Sequence, residues 1–213
     1  MKFPNSIKAR RHLSEVDLKL AQVITEVGPI QIELDPAETV FESLATSIVY
    51  QQLHGKAASA ILTRFKTLCG DSAFPSPKKV LHHPEESLRT TGLSRNKIRA
   101  LKDLAEKTLA GIVPQRELAI QLSDDALIQA LVQVHGIGPW TAHMMMIFTL
   151  GRTDVLPVGD YGVRKGFAAV YGKKTLPSPT QLEAAAEKWR PFRSAACWYL
   201  WEALKLSRFG GSP

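Results

Sequence analysis

Apolar residues recur at three- and four-residue spacing along most of the chain, and caps, glycines and prolines cut that pattern into helix-length pieces. Ser14 precedes a periodic run of Val16, Leu20, Val23, Ile24 and Val27, which Gly28-Pro29 ends. Asp35-Pro36-Ala37-Glu38 reads as an N-cap, a proline at the first helical position and a capping-box partner. The helix it opens buries Phe41, Leu44 and Ile48, with Val49 at the margin. Gly55 to Leu68 is Ala-rich, places Ile61, Leu62 and Phe65 at helical spacing, and is stopped by Gly70. Ser76-Pro77 and His83-Pro84 open short helices. Ser94 caps another, with Ile98, Leu101, Leu104, Ala105 and Leu109 on one face before Gly111. Ser123-Asp124-Asp125 begins a helix that leads to a turn at Gly136. Pro139 starts the next, expected to reach Leu150, and Tyr161 to Tyr171 follows. Thr180 and Glu183 read as a last capping box, and the final helix holds Trp198 and Trp201. Ile30 to Leu34 alternates and reads as a short strand or an extended linker, without a sheet. The prediction is an all-α chain of about ten helices with no internal repeat.

Composition narrows this picture. At 213 residues with 45% hydrophobic content, the chain can bury the core of one large domain or two small lobes. A formal charge of +7 suits a polyanion, nucleic acid first and an anionic membrane second, although charge alone does not decide. The two cysteines, Cys69 and Cys197, form no CxxC pair and no Cys/His cluster, which argues against an iron–sulfur or zinc site and fits a reducing compartment. The basic start, MKFPNSIKARRHL, lacks the apolar run of a signal peptide, and no stretch of 18 apolar residues exists to span a membrane.

The most informative segment is LVQVHGIGPWTAHMMMIFTLGRTDVLPVGDYGVR, residues 131–164. A bare Gly136-Ile137-Gly138 is by itself an ordinary tight turn between helices. Here an amphipathic helix precedes it, Pro139 opens a helix after it, and Thr141 lies in that helix's first turn. Glycines there let backbone N–H groups approach a phosphate, which helix N-termini favour. Asp160 precedes the Tyr161–Tyr171 helix. It reads as an N-cap by position and as a carboxylate facing a cationic transition state by chemistry. The two readings are compatible, since helix N-termini favour negative charge. Trp140, Trp189, Trp198 and Trp201 are either core or the walls of a base pocket, where rings stack on a base and attract a cationic one. Gln51-Gln52-Leu53-His54 closes an apolar helix either as a solvated end or as side chains pushed into a duplex. Ser94 is a good N-cap in any reading, and Lys97 is either a phosphate contact or an ordinary surface lysine.

At these residues the chain resembles the helix-hairpin-helix base-excision glycosylase superfamily and, within it, the alkylpurine (3-methyladenine) DNA glycosylases. VHGIGPWTA resembles the family hairpin, and LPVGDYGVRKGF resembles the segment carrying its aspartate. SIVYQQLHGKAA, GLSRNKIRALKDLA and RPFRSAACWYLWEAL resemble three further segments in the same order, together covering residues 43–204. The resemblance implies two helical lobes with a DNA-facing cleft between them. Residues 1–35 would form an N-terminal helix and linker packing on the C-terminal lobe, 36–122 a helical lobe, and 123–213 the hairpin, the catalytic aspartate and the C-terminal helices. It implies Asp160 as catalytic residue and Trp140, Trp201, Tyr161 and Met144 around the base. Gly136, Gly138, Thr141, Gln52, His54, Ser94 and Lys97 would contact DNA. No cofactor is required, with a structural Na+ or K+ expected on the carbonyls of Val132, Val134 and Ile137.

The implied reaction is hydrolysis of the N-glycosidic bond of an alkylated purine by base flipping, on double-stranded DNA, by a monomer. It would act in the cytoplasm of a bacterium or the nucleus of a eukaryote. Trp140 stands where strand-cutting relatives carry a lysine nucleophile, and the four-cysteine cluster of the endonuclease branch is absent. Both imply a monofunctional enzyme. The extra N-terminal β-domain of some bacterial members has no room, and His143 and Met144 leave the lesion range open. The alternatives are a glycosylase for deaminated or oxidised bases and a non-catalytic DNA-binding module.

Overall fold

The structure, a computed structural model, describes residues 2–70 and 74–209. Among them are thirteen α-helices, two single 3-10 turns and one isolated bridge between Lys2 and Glu33, with no sheet. The all-α expectation holds, and the segment at Ile30–Leu34 is extended, with the Phe3 N–H donating to the Ile32 carbonyl. The described residues divide into two compact units. One runs Asp35–Met145; the other joins the residues up to Leu34 with those from Met146 onward. Residues 123–145 thus cluster with 35–122 rather than with the C-terminal segment. Within that unit the Asp103 carboxylate accepts the His135 N–H at 2.6 Å, and the Gln51 amide donates to the Gly136 carbonyl at 3.0 Å.

In the unit built from both chain ends, α1 (Ser6–Val16) and α2 (Leu18–Val27) replace the single helix expected after Ser14. Asp17 breaks them. Its extended backbone lets the carboxylate accept the Lys19 and Leu20 N–H groups, so Asp17 rather than Ser14 caps α2. Its other oxygen takes Trp189 Nε1 at 2.8 Å, Lys188 Nζ at 2.9 Å and the Tyr171 hydroxyl. Burial opposes the Asp17 charge, but the bonds from Tyr171, Trp189 and Lys188 outweigh it and hold the carboxyl below its ordinary value. Burial also pushes the Tyr171 phenol up, reinforced by its bond to Asp17. The helices α11 (Tyr161–Tyr171) and α13 (Arg193–Ala203) pack on each other, and α2 packs on both. Leu20, Val23, Trp189, Tyr199 and Leu200 form the core between them. Before α13, α12 (Pro179–Ala186) carries a capping box of Ser178 with Gln181. The expected pair, Thr180 and Glu183, lies two residues too late: Ser178 with Pro179 at the first position starts the helix.

In the 35–145 unit, α3 (Val40–Tyr50) starts at Thr39, whose hydroxyl accepts the Glu42 N–H. Asp35 was expected as that cap; its carboxylate instead accepts the Ala37 N–H in a local turn four residues earlier. Phe41, Leu44, Ile48 and Val49 are buried as expected. The helix α4 (Gly55–Leu68) buries Phe65 but leaves Ile61 and Leu62 partly exposed. Next come α5 (Pro77–His82), α6 (Glu85–Thr90) and α7 (Arg95–Leu109). α7 is the hub: α3, α5 and α6 all pack against it through Ile98, Leu101, Leu104 and Ala105, while Leu109 is exposed. No sequence signal marked α8 (Arg116–Gln121), whose Gln115 cap makes no side-chain bond. Ser123 caps α9 (Asp124–Leu131), and α10 (Pro139–Phe148) ends two residues earlier than expected. Cys69 and Cys197 are both buried thiols.

Candidate active site

Asp160 sits at the N-terminus of α11 and is 9% exposed. Its Oδ1 accepts the Val163 N–H at 2.7 Å, a normal capping bond. The same oxygen accepts the indole N–H of Trp201 at 2.9 Å, from the last turns of α13. The Trp201 ring in turn stacks on Phe148, with centroids 5.9 Å apart and an interplanar angle of 27°. A carboxylate that is mostly removed from water yet held by two donors has a fixed position and a fixed acceptor geometry. The loop leading to it is also fixed. Ser194, at the start of α13, donates to the Arg152 carbonyl at 2.7 Å and accepts the Val155 N–H at 2.9 Å. The Arg193 guanidinium pairs with Asp154 at 2.8 Å. Tyr161, the first residue of α11, is 64% exposed.

The hairpin lies in the other unit. Gly136 adopts φ +80°, the left-handed region that favours glycine, and the Ile137 N–H closes the turn on the Val134 carbonyl at 3.0 Å. Gly138 accepts the first helical bond of α10, from Ala142. A Cβ built there meets nothing within 4 Å, so its backbone faces open space. Gln51 ties the end of α3 to this turn through the Gly136 carbonyl. The next residue, Gln52, is exposed and has φ +57°, unusual for a residue with a side chain. His54 is exposed, and its side chain makes no capping bond to α4. Ser94 caps α7, as expected, through the Lys97 N–H. The Lys97 ammonium donates to the Val49 carbonyl at 2.7 Å, at the end of α3, and burial lowers its pKa. Gln52, Ser94, Lys97 and Gly136 line one cavity of about 260 Å³, together with Gln51, Asn96, Ala100 and His135.

The other expected residues differ in how open they are. Thr141, expected at a DNA-facing surface, is 6% exposed: it shares the inward face of α10 with Ala142 and Met145, so its side chain is turned away from solvent. Met144 and His143 are half-buried; burial lowers the His143 imidazole, partly opposed by the charge of Asp124. Trp140 is 53% exposed. Trp189 is fully buried and Trp198 nearly so, which makes both core. Val134 and Ile137 are buried and Val132 is exposed. Phe148, Gly162, Arg193 and Ser194 stand around Asp160 or the loop before it without having been expected there from the sequence. Only Gly162 carried a signal: with Gly166 it forms a small-residue pair at i, i+4, the spacing at which helices approach closely.

A family model described as the HhH-GPD superfamily of base excision DNA repair proteins matches residues 45–191. DNA-3-methyladenine glycosylase 1 of Schizosaccharomyces pombe is 37% identical over 203 residues, covering 95% of this chain and 89% of its own. The solved structure of the S. pombe 3-methyladenine DNA glycosylase in complex with abasic DNA aligns with a TM-score of 0.78, over 94% of this chain and 98% of its own. A DNA-3-methyladenine glycosidase from Bacillus halodurans aligns with a TM-score of 0.82 at 35% identity, over 93% of this chain and 88% of its own. With its hairpin at Gly136–Gly138 and its capped Asp160 both inside the matched region, the chain belongs to the HhH-GPD superfamily of base excision DNA repair proteins.

Proposed function

We propose that this protein is a DNA glycosylase that removes alkylated purines of the 3-methyladenine and 7-methylguanine type and leaves an abasic site. The observation that carries the reading is the Asp160 carboxylate, mostly buried and held by Val163 N–H and Trp201 N–H, in a chain 37% identical to a DNA-3-methyladenine glycosylase. In the reaction the bond between the sugar C1′ and the base nitrogen breaks, and the base keeps the electron pair. Positive charge develops on the sugar, and Asp160 stabilises it electrostatically. The oxygen of a water then bonds to C1′, and its proton passes to Asp160 or to solvent. An alkylated purine already carries a positive charge, so it departs neutral and needs no general acid. Trp201, Trp140, Tyr161 and Met144 serve a flipped base, whose electron-poor ring attracts π-faces.

Gly136 and Gly138 hold phosphate through backbone N–H groups, aided by Gln52 and His54 as the segment that fills the gap left by the flipped nucleotide. Ser94 and Lys97 flank that segment. The carbonyls of Val132, Val134 and Ile137 suit a monovalent cation. They are hard oxygen donors, and the Val134 carbonyl retains a second lone pair beside its bond from Ile137. Such an ion would supply positive charge beside a phosphate. Among the described residues no cluster of His, Cys, Asp and Glu side chains offers a transition-metal alternative. Trp140 in place of a lysine nucleophile leaves water as the attacking group.

A single-turnover base-release assay tests this on duplexes holding one 7-methylguanine, 3-methyladenine, hypoxanthine or 8-oxoguanine. Release of the methylated purines, faster than of the other two, supports the reading. Binding to all four without release identifies a non-catalytic module, and preferential release of hypoxanthine or 8-oxoguanine transfers the enzyme to another lesion class.

A further inference from the structure

We infer that Gly162 is a positioning residue for the Asp160–Trp201 pair: the lack of a side chain there is what lets the indole reach the carboxylate. Gly162 is the second residue of α11, directly between Asp160 and Val163, the two residues joined by the capping bond. Glycine loses more backbone freedom on folding than alanine does, so its presence in the first turn of a helix needs a reason. Backbone conformation is not that reason, because Gly162 is not among the glycines at positive φ. Space is. A Cβ added at Gly162 would lie 2.8 Å from Trp201 Cδ1, 2.9 Å from Trp201 Nε1 and 3.1 Å from Asp160 Oδ1. The first two separations are closer than a Cβ tolerates to carbon or nitrogen, so something must shift.

The neighbours show what would move. The carboxylate is anchored on the Val163 N–H at 2.7 Å. The indole is a rigid plate, and the atoms nearest the new methyl are those of its N–H edge, the edge that donates to Asp160. A methyl at 162 therefore pushes on the donor itself, and the 2.9 Å bond is the contact that gives way. Gly166, one turn on, has a different role. A Cβ there would lie 2.2 Å from the Leu200 carbonyl oxygen, so Gly166 sets how closely the backbones of α11 and α13 approach. Gly162 then sets where the Trp201 ring stands within that approach.

The inference rests on the glycosylase reading only for its effect on rate; the packing claim is independent of it. The experiment is Gly162→Ala in the wild-type and Trp201→Phe backgrounds, read by indole N–H resonances and by single-turnover release of 7-methylguanine. The Trp201 resonance is identified by its loss in Trp201→Phe. In Gly162→Ala it should move, and excision should fall on the order of tenfold to 100-fold, the scale of an ångström-level misplacement. Binding to a ready-made abasic duplex should stay within about twofold of wild type, since phosphate contacts dominate that affinity. In the Trp201→Phe background, which has no Nε1, adding Gly162→Ala should slow excision by less than about twofold further. An unmoved Trp201 resonance overturns the inference whatever the rate does. A moved resonance with unchanged excision overturns the positioning role, provided Asp160→Asn abolishes excision. If Asp160→Asn remains active, the glycosylase assignment of Asp160 fails separately. If Gly162→Ala alone does not fold, recovery of a cooperative melt by Trp201→Phe supports the steric claim, and failure to recover overturns it.

Discussion

The indole N–H of Trp201 and the backbone N–H of Val163 converge on one oxygen of Asp160, at 2.9 and 2.7 Å. One donor comes from the helix that Asp160 itself caps, the other from a residue 41 positions further along the chain. A single side chain thus closes a helix, locks two helices in register and offers a fixed carboxylate for chemistry.

Asp160→Asn should keep the shape and most of the capping ability while removing the charge. The melting temperature should change little, and affinity for an abasic duplex should hold. Single-turnover excision of 7-methylguanine should fall on the order of 100-fold or more, the typical cost of losing a transition-state electrostatic group. Excision near the wild-type rate would reduce Asp160 to a cap.

The two hairpin glycines should respond differently. Gly138 lacks a positive φ and has open space around a new Cβ, so Gly138→Val should fold and melt close to wild type while weakening binding to every duplex alike. Gly136 has φ +80°, so Gly136→Ala should cost about 1–2 kcal/mol in denaturant unfolding. A strongly destabilised Gly138→Val would place its backbone in the fold's interior rather than at a phosphate.

Asp17 should make stability depend on acid pH. Its folded pKa is lowered, so the unfolded chain takes up the proton first. The stabilisation is complete above the unfolded carboxyl value, about 3.9, and is lost as pH falls toward and through the lower folded value. Asp17→Ala should be destabilised by roughly 3 kcal/mol at pH 7, because Trp189 and Tyr171 lose their acceptor. Urea unfolding of both proteins from pH 7 to pH 3 should show the difference shrinking with acid. A constant difference would exclude titration of this group.

Trp140 and Trp189 separate pocket from core. Trp189 is fully buried and donates to Asp17, so Trp189→Ala should cost about 3–5 kcal/mol. Trp140 is 53% exposed, so Trp140→Ala should melt within a few degrees of wild type yet slow excision. Unimpaired excision would remove Trp140 from the base pocket.

With Trp140 where strand-cutting relatives have a lysine, borohydride should trap no covalent protein–DNA adduct during excision, and the abasic strand should stay intact until heated in alkali. Efficient trapping would require an amine nucleophile that the proposed hydrolysis does not use.

The amino-acid sequence by itself determined most helices and several of their ends. Ser76, Ser94 and Ser123 cap where expected, and α4 and α11 span the expected residues. Such signals act within one turn, between a side chain and the N–H groups two or three residues on, so local order alone expresses them. The turn at Gly136 and the cap at Asp160 were legible for the same reason. Tertiary structure decided the rest. Asp17 rather than Ser14 divides the first two helices, because its carboxylate also serves Tyr171 and Trp189 from distant segments. The four tryptophans look alike in sequence; packing sends Trp189 to the core, leaves Trp140 exposed and turns the Trp201 N–H onto Asp160. In sequence Lys97 is either a phosphate contact or a surface lysine; only the fold brings its ammonium to the Val49 carbonyl, 48 residues away. The space that Gly162 leaves acquires meaning only once Trp201 of α13 stands beside it. Periodicity states which face a residue occupies, but the partner on that face exists only once the helices have packed.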